Sequence, residues 1–287
     1  MTRASIALCT YNGEQFLREQ LASLVAQTVQ PFEVIVCDDR SSDASVALVR
    51  QFAEKAPFPV TLFENKRNLG YVKNFEQAIA RCTGDVIFLC DQDDIWHVEK
   101  IERCLEVFDT NPDVGLVLHG FKWVDQDGAP YPGPSERYGE ERLSAEQLSQ
   151  AFEGSSIEVF MSPYPRAWCG CMMAFRRLFV TDIVPIFPGK GHDDWILKLL
   201  GALTDVRFLV DPLVSYRIHA SNSNGRDVSK RTMSYRWHRF LFKARRVMSG
   251  HSKRGFYDAI LRRIGQSAKP VRYPRLIQKY RDQIKWL

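Results

Sequence analysis

The sequence contains no long hydrophobic run. Across its 287 residues, no apolar stretch approaches the roughly 18 residues that a helix needs to cross a bilayer, so we expect no membrane-spanning segment. The first apolar stretch is short and soon turns polar, and we therefore expect no signal peptide. Extreme composition is also lacking, because 45% of the residues are hydrophobic and 25% are charged. This balance excludes disordered, collagen-like and low-complexity classes.

Several motifs that mark common protein classes are missing as well. The chain has no Gly-x-Gly-x-x-Gly, no Walker loop and no Gly-x-Ser-x-Gly, which argues against a dinucleotide-binding fold, a P-loop enzyme and a hydrolase. Zinc-binding spacing is absent, since Cys169-Gly170-Cys171 has no second cysteine pair. We expect the seven cysteines to be reduced structural thiols and the protein to be cytoplasmic.

The net charge of +5 conceals a strong asymmetry along the chain. Residues 226–287 contain 18 Lys or Arg and only 3 acidic residues, whereas the first 225 residues carry more acids than bases. Over residues 233–248, apolar side chains recur at helical spacing and basic ones lie largely elsewhere on the helical wheel. Two interpretations stay open: this helix binds an anionic membrane surface, or its apolar stripe packs on the body of the protein. We expect no nucleic-acid partner, because no recognition motif is present.

Strand and helix patterns alternate over the first 120 residues. The strand-like apolar runs lie at residues 6–9, 33–37, 60–63, 86–90 and 114–118. Helical periodicity separates them, which predicts βαβ units and an α/β fold with a Rossmann-like, mostly parallel central sheet flanked by helices. Farther along, the pattern predicts loops over residues 125–165, a strand over 168–175 and a helix over 195–200.

Acidic residues follow two of the predicted strands. Asp38-Asp39 comes after the second strand, and Asp91-Gln92-Asp93-Asp94 follows the fourth. The ends of parallel strands meet at one edge of a sheet, where gathered carboxylates repel one another unless a cation or a donor-rich ligand neutralises them. Asp-x-Asp there suits Mg²⁺ or Mn²⁺ and, through the ion, a diphosphate. The alternative is that these acids cap helices, with Asp94 capping the following one.

Two further candidate groups lie downstream. In Gly191-His192-Asp193-Asp194-Trp195, a carboxylate either caps the apolar helix or acts as a general base toward a hydroxyl. In Tyr216-Arg217-Ile218-His219, the arginine is suited to offset diphosphate charge, and the histidine to ligate a metal or bond a phosphate oxygen. A lone His219 is equally typical of a hydrogen-bonded loop residue.

These motifs together resemble family 2 glycosyltransferases, which are inverting enzymes of the GT-A fold. The motifs occur in the family's order over roughly residues 4–225, and they are Thr10-Tyr11-Asn12-Gly13, Cys37-Asp38-Asp39-Arg40-Ser41-Ser42-Asp43, Asn68-Leu69-Gly70, Gly84-Asp85, Asp91-Gln92-Asp93-Asp94 and His192-Asp193. Tyr216-Arg217-x-His219 with a downstream Asn resembles the rhamnosyltransferase branch. The resemblance implies a catalytic domain over residues 1–225 and a basic helical extension over 226–287.

The resemblance also implies a role for individual residues. The nucleotide-sugar donor is expected to contact Thr10, Tyr11, Asn12, Asp39, Asn68, Lys73, Asp91, Gln92 and Arg217. A divalent cation, Mg²⁺ or Mn²⁺, is expected at Asp91, Asp93 and His219, with Asp93 as a direct ligand. Asp193 matches the catalytic base, and Asp194 is its rival, because the family shows Glu-Asp or His-Asp where this chain has His-Asp-Asp.

The activity that the resemblance implies is an inverting sugar transfer. The donor is expected to be dTDP-rhamnose, and the acceptor a glycan or glycolipid of the bacterial surface such as lipopolysaccharide or O-antigen. In one of the two interpretations given above for the basic tail, it meets the anionic cytoplasmic face of the inner membrane. Two alternatives stay open. One is a nucleotidyltransferase or phosphotransferase that uses the Asp-x-Asp metal, although no Lys- or Arg-bearing glycine loop accompanies it. The other is a non-catalytic module that binds sugar nucleotides.

Overall fold

The first half of the chain forms a parallel sheet with helical crossovers. The computed structural model describes residues 1–131, 169–188, 190–219, 222, 253–270, 277–278 and 281–282. Its first strands are β1 (Ala4–Thr10), β2 (Glu33–Asp38), β3 (Val60–Glu64) and β4 (Val86–Asp91). They pair in parallel in the order β3-β2-β1-β4. The connecting helices are α1 (Glu14–Val25), α2 (Ser45–Ala53) and α3 (Tyr71–Arg81).

The second half extends the same sheet with mixed pairing. Its described elements are β5 (Ile95–Trp96), α4 (Lys100–Thr110), β6 (Val114–Val124), β7 (Met173–Arg176), α5 (Val180–Ile183), α6 (His192–Leu203), β8 (Asp205–Arg217) and α7 (Lys253–Gln266). The sheet order is β3-β2-β1-β4-β7-β6-β8-β5. Strand β7 lies antiparallel to both β4 and β6, β6 and β8 are parallel, and β5 is antiparallel to β8. The α/β fold is therefore confirmed, with a parallel first half and a mixed second half.

The central strands are buried on both faces, as expected for a parallel sheet covered by helices. Every residue of β1 is buried, and so are the first five of β4. Helix α1 covers the sheet with Leu17, Leu21 and Leu24, and the other helices supply similar apolar stripes. All seven cysteines are buried and unpaired, in keeping with the expectation of structural thiols.

The strand register sets the position of the site. Thr10 pairs with Asp38, and Cys9 pairs with Asp91, so β1, β2 and β4 end in nearly the same row. The loops that follow these strands therefore share one edge of the sheet. The acidic residues of these loops must lie there together, as the sequence pattern predicted.

Two elements differ from the sequence-based expectation. The strand predicted over residues 168–175 is shorter, because Gly170–Met172 form a 3₁₀ turn and β7 begins only at Met173. The long strand β8 was not predicted. Pro212 interrupts its pattern, and the register against β6 shifts at Gly120, opposite this proline. A proline inside a sheet is tolerated at such irregularities, because it donates no ladder hydrogen bond.

The described part of the C-terminal region packs on the body of the protein. On α7, Phe256, Ile260 and Ile264 are buried, and the Phe256 ring lies 6.1 Å from that of Trp195 on α6. The amphipathic stretch over residues 233–248 lies outside the described residues. No helix in the described ranges has the length and apolar character that crossing a membrane would require.

Candidate functional site

Asp38 fixes the loop that follows β2. Its carboxylate accepts hydrogen bonds from Thr10 Oγ1 at 2.7 Å, from the Ser41 amide at 2.8 Å and from Ser41 Oγ at 2.6 Å. The side chain is buried, so these donors replace the water that a carboxylate would otherwise need. Asp38 thus joins the ends of β1 and β2 and gives the edge of the sheet a fixed shape.

Asp39 organises the turn at Asn68-Leu69-Gly70. Its carboxylate accepts the amides of Leu69 at 2.7 Å and Gly70 at 2.8 Å, and the side-chain amide of Asn65 at 2.9 Å. Asn68 donates to the backbone oxygen of Asp39 at 3.3 Å. A carboxylate has about four acceptor positions, so these three donors leave room for one further donor. A contact between Asp39 and a base or ribose therefore remains a proposal.

Tyr11, Asn12 and Gln92 link the loops that follow β1, β2 and β4. The Tyr11 amide donates to Gln92 Oε1 at 2.7 Å, and Gln92 Nε2 donates back to the Tyr11 carbonyl at 3.0 Å. Asn12 Oδ1 accepts the Ser42 amide at 2.8 Å. Tyr11 is 49% exposed and Asn12 is exposed as well, so both are accessible to a ligand.

The residues predicted to hold the metal divide into two groups. Asp93 Oδ2 lies 2.8 Å from His219 Nε2, and Asn222 Nδ2 lies 3.4 Å from the same carboxylate oxygen. A carboxylate oxygen and an imidazole nitrogen that converge in this way suit Mn²⁺ and, less well, Mg²⁺, so the donor set fits the implied cation. Asp91 instead lies with Asp94 and Cys171.

The carboxylates at the end of β4 are electrostatically strained. Burial raises the pKa of Asp91 well above its usual value, and the charges of Asp94, Asp93 and Asp193 add to the rise. Burial, with Asp93 adding to it, raises the pKa of Asp94 to about 7. Asp94 accepts the Arg217 amide at 3.1 Å, whereas α4 begins only at Lys100. Asp94 therefore does not cap that helix, and the cluster has the electrostatic character of a cation site.

Arg217 links the loop after β4 to other parts of the fold. Its side chain is only 2% exposed, and its guanidinium donates to the backbone oxygens of Asp93 at 2.9 Å and Gln126 at 2.8 Å. It also forms a short ion pair with Glu19 of α1. These acceptors enclose the guanidinium, which ties the Asp93 loop to α1. The predicted contact of Arg217 with the donor stays a prediction.

Lys73 contacts residues outside the acidic loops, and its predicted contact with the donor stays a prediction. Its ammonium pairs with Glu76 one helical turn away at 2.8 Å, and Glu76 accepts the Ile186 amide at 2.6 Å. Lys73 lines a cavity of about 280 Å³ together with Trp195 and Arg262. These contacts lie between α3, α6 and α7, and none of them involves the acidic loops at the strand ends.

The contacts made in the first turn of α6 distinguish the two candidate bases, Asp193 and Asp194. Asp194 is held by Lys198 at 2.7 Å and Lys190 at 3.6 Å. Asp193 Oδ1 accepts the Asp194 amide at 2.8 Å, and burial raises the pKa of Asp193 to about 6. A carboxylate with a raised pKa and no lysine partner of its own in the described contacts is the better proton acceptor near neutral pH.

His192 is a packed residue at the start of α6. Its ring stacks on Phe75 with centroids 4.0 Å apart, and burial lowers its pKa to about 3, so the imidazole is neutral. Gly170 faces this ring so closely that a side chain there would collide with it. His192 therefore packs the first turn of α6, which carries Asp193, against α3. Sequence reasoning had left it without a role, because packing of this kind leaves no local signal.

Sequence reasoning missed Cys171 and Glu19 at this site. Cys171 was treated only as a structural thiol, and the structure places it beside the acids that follow β4. Glu19 lies on the polar face of α1, where an acidic residue carries no distinguishing pattern. Their roles depend on contacts across 77 or more residues of chain, which no local spacing records.

Comparison with known proteins gives a consistent result. The family model "Glycosyl transferase family 2" matches residues 5–178. An uncharacterized glycosyltransferase of Nostoc sp. is 29% identical over 235 residues, which cover 77% of this chain and 66% of the relative. This chain thus spans slightly less than two thirds of that relative. The dTDP-rhamnosyl transferase RfbG of Shigella flexneri is 24% identical over 236 residues, covering 77% of this chain and 75% of RfbG.

A solved structure supports the fold. The mannosyltransferase PcManGT of Pyrobaculum calidifontis, in complex with GDP-Man and Mn²⁺, aligns with a TM-score of 0.57 and 18% identity. The alignment covers 99% of this chain and 69% of that protein. At this identity the likeness establishes the GT-A fold alone.

Proposed function

The chain belongs to glycosyl transferase family 2, and from this we propose that it transfers a sugar from a nucleotide-diphosphate donor to a glycan hydroxyl with inversion. Membership makes it a glycosyltransferase rather than a nucleotidyltransferase or a binding module. The observation that carries the proposal is the position of Asp193, whose carboxylate lies near enough to the acids after β4 to raise the pKa of Asp91. In our proposal the base and the cation-binding residues share this edge of the sheet.

The residues divide the work of transfer between them. In our proposal Asp39 and Tyr11 hold the nucleoside, and Asp93 with His219 holds the divalent cation. When bound, that cation supplies charge neutralisation to the departing diphosphate. Asp193 accepts the proton of the acceptor hydroxyl, whose oxygen bonds to the anomeric carbon as the bond to the diphosphate oxygen breaks. Attack from the face opposite the leaving group inverts the anomeric centre in one displacement, so a single base suffices.

We propose L-rhamnose, carried on dTDP, as the donor sugar. The similarity to RfbG supports this choice, and so does the Tyr216-Arg217-x-His219 sequence at the end of β8. The acceptor in our proposal is a hydroxyl of a bacterial surface polysaccharide such as lipopolysaccharide or O-antigen.

Donor choice is expected to appear as a difference in thermal stabilisation. With Mn²⁺ present, dTDP-rhamnose should raise the melting temperature more than UDP-GlcNAc or GDP-mannose does, because at equal concentration the ligand of higher affinity stabilises the native state more. The measurement is a thermal-shift series at equal donor concentrations, with dTDP alone as the control for the nucleotide. A larger shift with another sugar nucleotide would overturn the rhamnose proposal and leave the transferase assignment intact.

We further propose that the basic tail holds the enzyme on the anionic inner face of the membrane, where a glycolipid acceptor would lie. The charge of residues 226–287 supports this, with 18 basic and 3 acidic residues. On α7 the apolar residues face the body, and Arg262 is left exposed. Basic residues near an anionic surface contribute about 1 kcal/mol each to binding.

Reversing charge in the tail is expected to release the protein from anionic vesicles. Replacing Arg239, Lys243 and Arg246 with glutamate should weaken binding by at least roughly 100-fold, because about 1 kcal/mol is lost per basic residue and the anionic surface also repels each glutamate. Sedimentation with phosphatidylglycerol vesicles measures this. The matched control reverses Arg18, Lys55 and Lys122, which are exposed on the catalytic body. Equal loss in both triple variants would contradict a tail-specific contact. Deleting the tail is unsuitable, since Phe256 and Ile260 would leave the core.

A further inference from the structure

A cavity of about 280 Å³ lies between α3, α6 and α7, and Lys73, Trp195 and Arg262 each contribute to its lining. None of its described lining residues belongs to the acidic loops that follow β2 and β4. Sites for small molecules run from roughly 300 to 1,000 Å³, so this cavity suits a small group rather than a whole sugar nucleotide. The sugar transfer proposed above leaves it without a role.

Hydrogen bonds from two helices fix one wall of this cavity. Glu76 of α3 accepts the Ile186 amide at 2.6 Å. Arg263 of α7 donates to the carbonyls of Val184 at 2.8 Å and Pro185 at 3.4 Å. Because Pro185 and Ile186 both line the cavity, this wall is tied to α3 on one side and to α7 on the other. The cavity is therefore a fixed part of the fold.

The charged side chains that line the cavity are all hydrogen-bond donors. Arg262 is exposed, and it forms no hydrogen bond or ion pair among the described residues, not even with Asp258 one turn earlier on α7. Arg263 gives three carbonyls only part of its donor set, and Lys73 is neutralised by Glu76 at 2.8 Å. None of the described lining residues is acidic. The lining therefore favours an anionic ligand that is rich in acceptors.

Apolar side chains form the rest of the described lining. Phe187, Pro188 and Ala259 lie there with Trp195, and the rings of Phe187 and Trp195 stack with centroids 6.2 Å apart. A ligand in the cavity thus meets carbon on one side and N–H donors on the other. Phosphate is an anion that arginine binds through two parallel hydrogen bonds, and a short carbon chain attached to it would contact the apolar side.

We propose that this cavity binds the phosphoglycerol headgroup of an anionic lipid such as phosphatidylglycerol. Arg262 and Gln266 line it from α7 and are exposed, and α7 belongs to the strongly basic region 226–287. Basic pockets between helices bind anionic headgroups in this way. The proposal rests on the proposed position of the tail at an anionic membrane, and it adds a specific headgroup site on the body of the protein. It does not depend on the sugar that is transferred.

A short-chain lipid in solution tests the cavity without a membrane. Dihexanoyl phosphatidylglycerol, kept below its critical micelle concentration, should bind the full-length protein in calorimetry. Dihexanoyl phosphatidylcholine should bind at least roughly tenfold more weakly, because it carries no net negative charge. Arg262→Gln should weaken phosphatidylglycerol binding by roughly tenfold through loss of a charge-assisted contact. Arg18→Gln, on the exposed face of α1, is the matched control and should leave the affinity unchanged.

A second variant blocks the cavity without changing its charge. Ala259→Trp should fill the space and abolish binding of the short-chain lipid, and circular dichroism checks that the variant is folded. Arg262 is exposed, so Arg262→Gln keeps the test valid if Ala259→Trp does not fold. The triple charge reversal at Arg239, Lys243 and Arg246 should leave this affinity unchanged, because it does not alter the cavity. The cavity and the tail can therefore fail separately.

Three results would overturn the proposal. One is unchanged lipid affinity in Arg262→Gln. Another is binding of inorganic phosphate as tight as that of dihexanoyl phosphatidylglycerol, which would mark a site for an adventitious ion only. The last is tighter binding of glucuronate than of the lipid, which would assign the cavity to an acidic glycan instead.

Discussion

Replacing Asp193 with asparagine is expected to lower kcat by roughly 10²–10⁴-fold, the usual contribution of a general base. Asparagine keeps the shape of the side chain, and its oxygen can still accept a hydrogen bond from the Asp194 amide in the first turn of α6. What it loses is the ability to take a proton from the acceptor hydroxyl. Donor affinity should therefore stay close to that of the unmodified enzyme, and the loss should fall almost entirely on turnover.

The informative comparison is with Asp194→Asn. Asp194 is occupied by Lys198 and Lys190, so its removal should reduce turnover less than about 10-fold, through a loosened helix start rather than through chemistry. Steady-state kinetics on both variants, with donor binding measured by calorimetry, separates the two carboxylates. A greater loss of kcat in Asp194→Asn than in Asp193→Asn would transfer the role of base to Asp194.

The pH profile provides an independent check on the same residue. Burial raises the pKa of Asp193 to about 6, and a general base acts only when it is ionised. The value of kcat/KM should therefore be level above this pH and fall about tenfold per unit below it, as the carboxylate gains its proton. In Asp193→Asn this acidic limb should disappear. If the limb persists in the variant, another group controls it.

The choice between Asp193 and Asp194 was partly available from the sequence. Lys198 stands four residues after Asp194, and side chains at that spacing meet on one face of a helix. This pattern predicts that Asp194 is paired once α6 is recognised as a helix. The raised pKa of Asp193 was not available, because it comes from burial against elements that are distant in sequence.

The parallel strands were predictable and β8 was not, for one physical reason. Strands buried on both faces read as continuous apolar runs, and the acids that end them show where ligands gather. Buried and exposed residues do not alternate regularly along strand β8, and the strand contains Pro212. Its sequence pattern therefore resembles that of a loop. The contact between Arg217 and Glu19 was not predictable, because the two residues lie 198 positions apart in the sequence. An exposed arginine near a diphosphate and a buried positioning arginine look alike in a sequence.

Replacing Asp93 with alanine is expected to abolish the part of donor binding that depends on metal. The carboxylate lies 2.8 Å from His219 Nε2, and its loop is held by the Arg217 guanidinium through the Asp93 carbonyl. Alanine retains that carbonyl, so the loop should persist while the ligand is lost. Outer-shell partners of a metal already account for 10–100-fold in affinity, so loss of a direct ligand should weaken donor binding by on the order of 100-fold.

Calorimetry with and without Mn²⁺ measures this loss of donor affinity, and a residue just before the start of β4 provides the control. Asp85, just before the other end of β4, pairs with Arg3 where both side chains are nearly half exposed, and such surface pairs contribute little. Asp85→Ala should therefore keep the full gain in donor affinity that Mn²⁺ provides. Asp93→Ala should bind the donor with the same weak affinity in both conditions, because the contacts that we propose at Asp39 and Tyr11 do not involve the ion. If Mn²⁺ still strengthens donor binding in Asp93→Ala, the cation that serves the donor lies instead at Asp91.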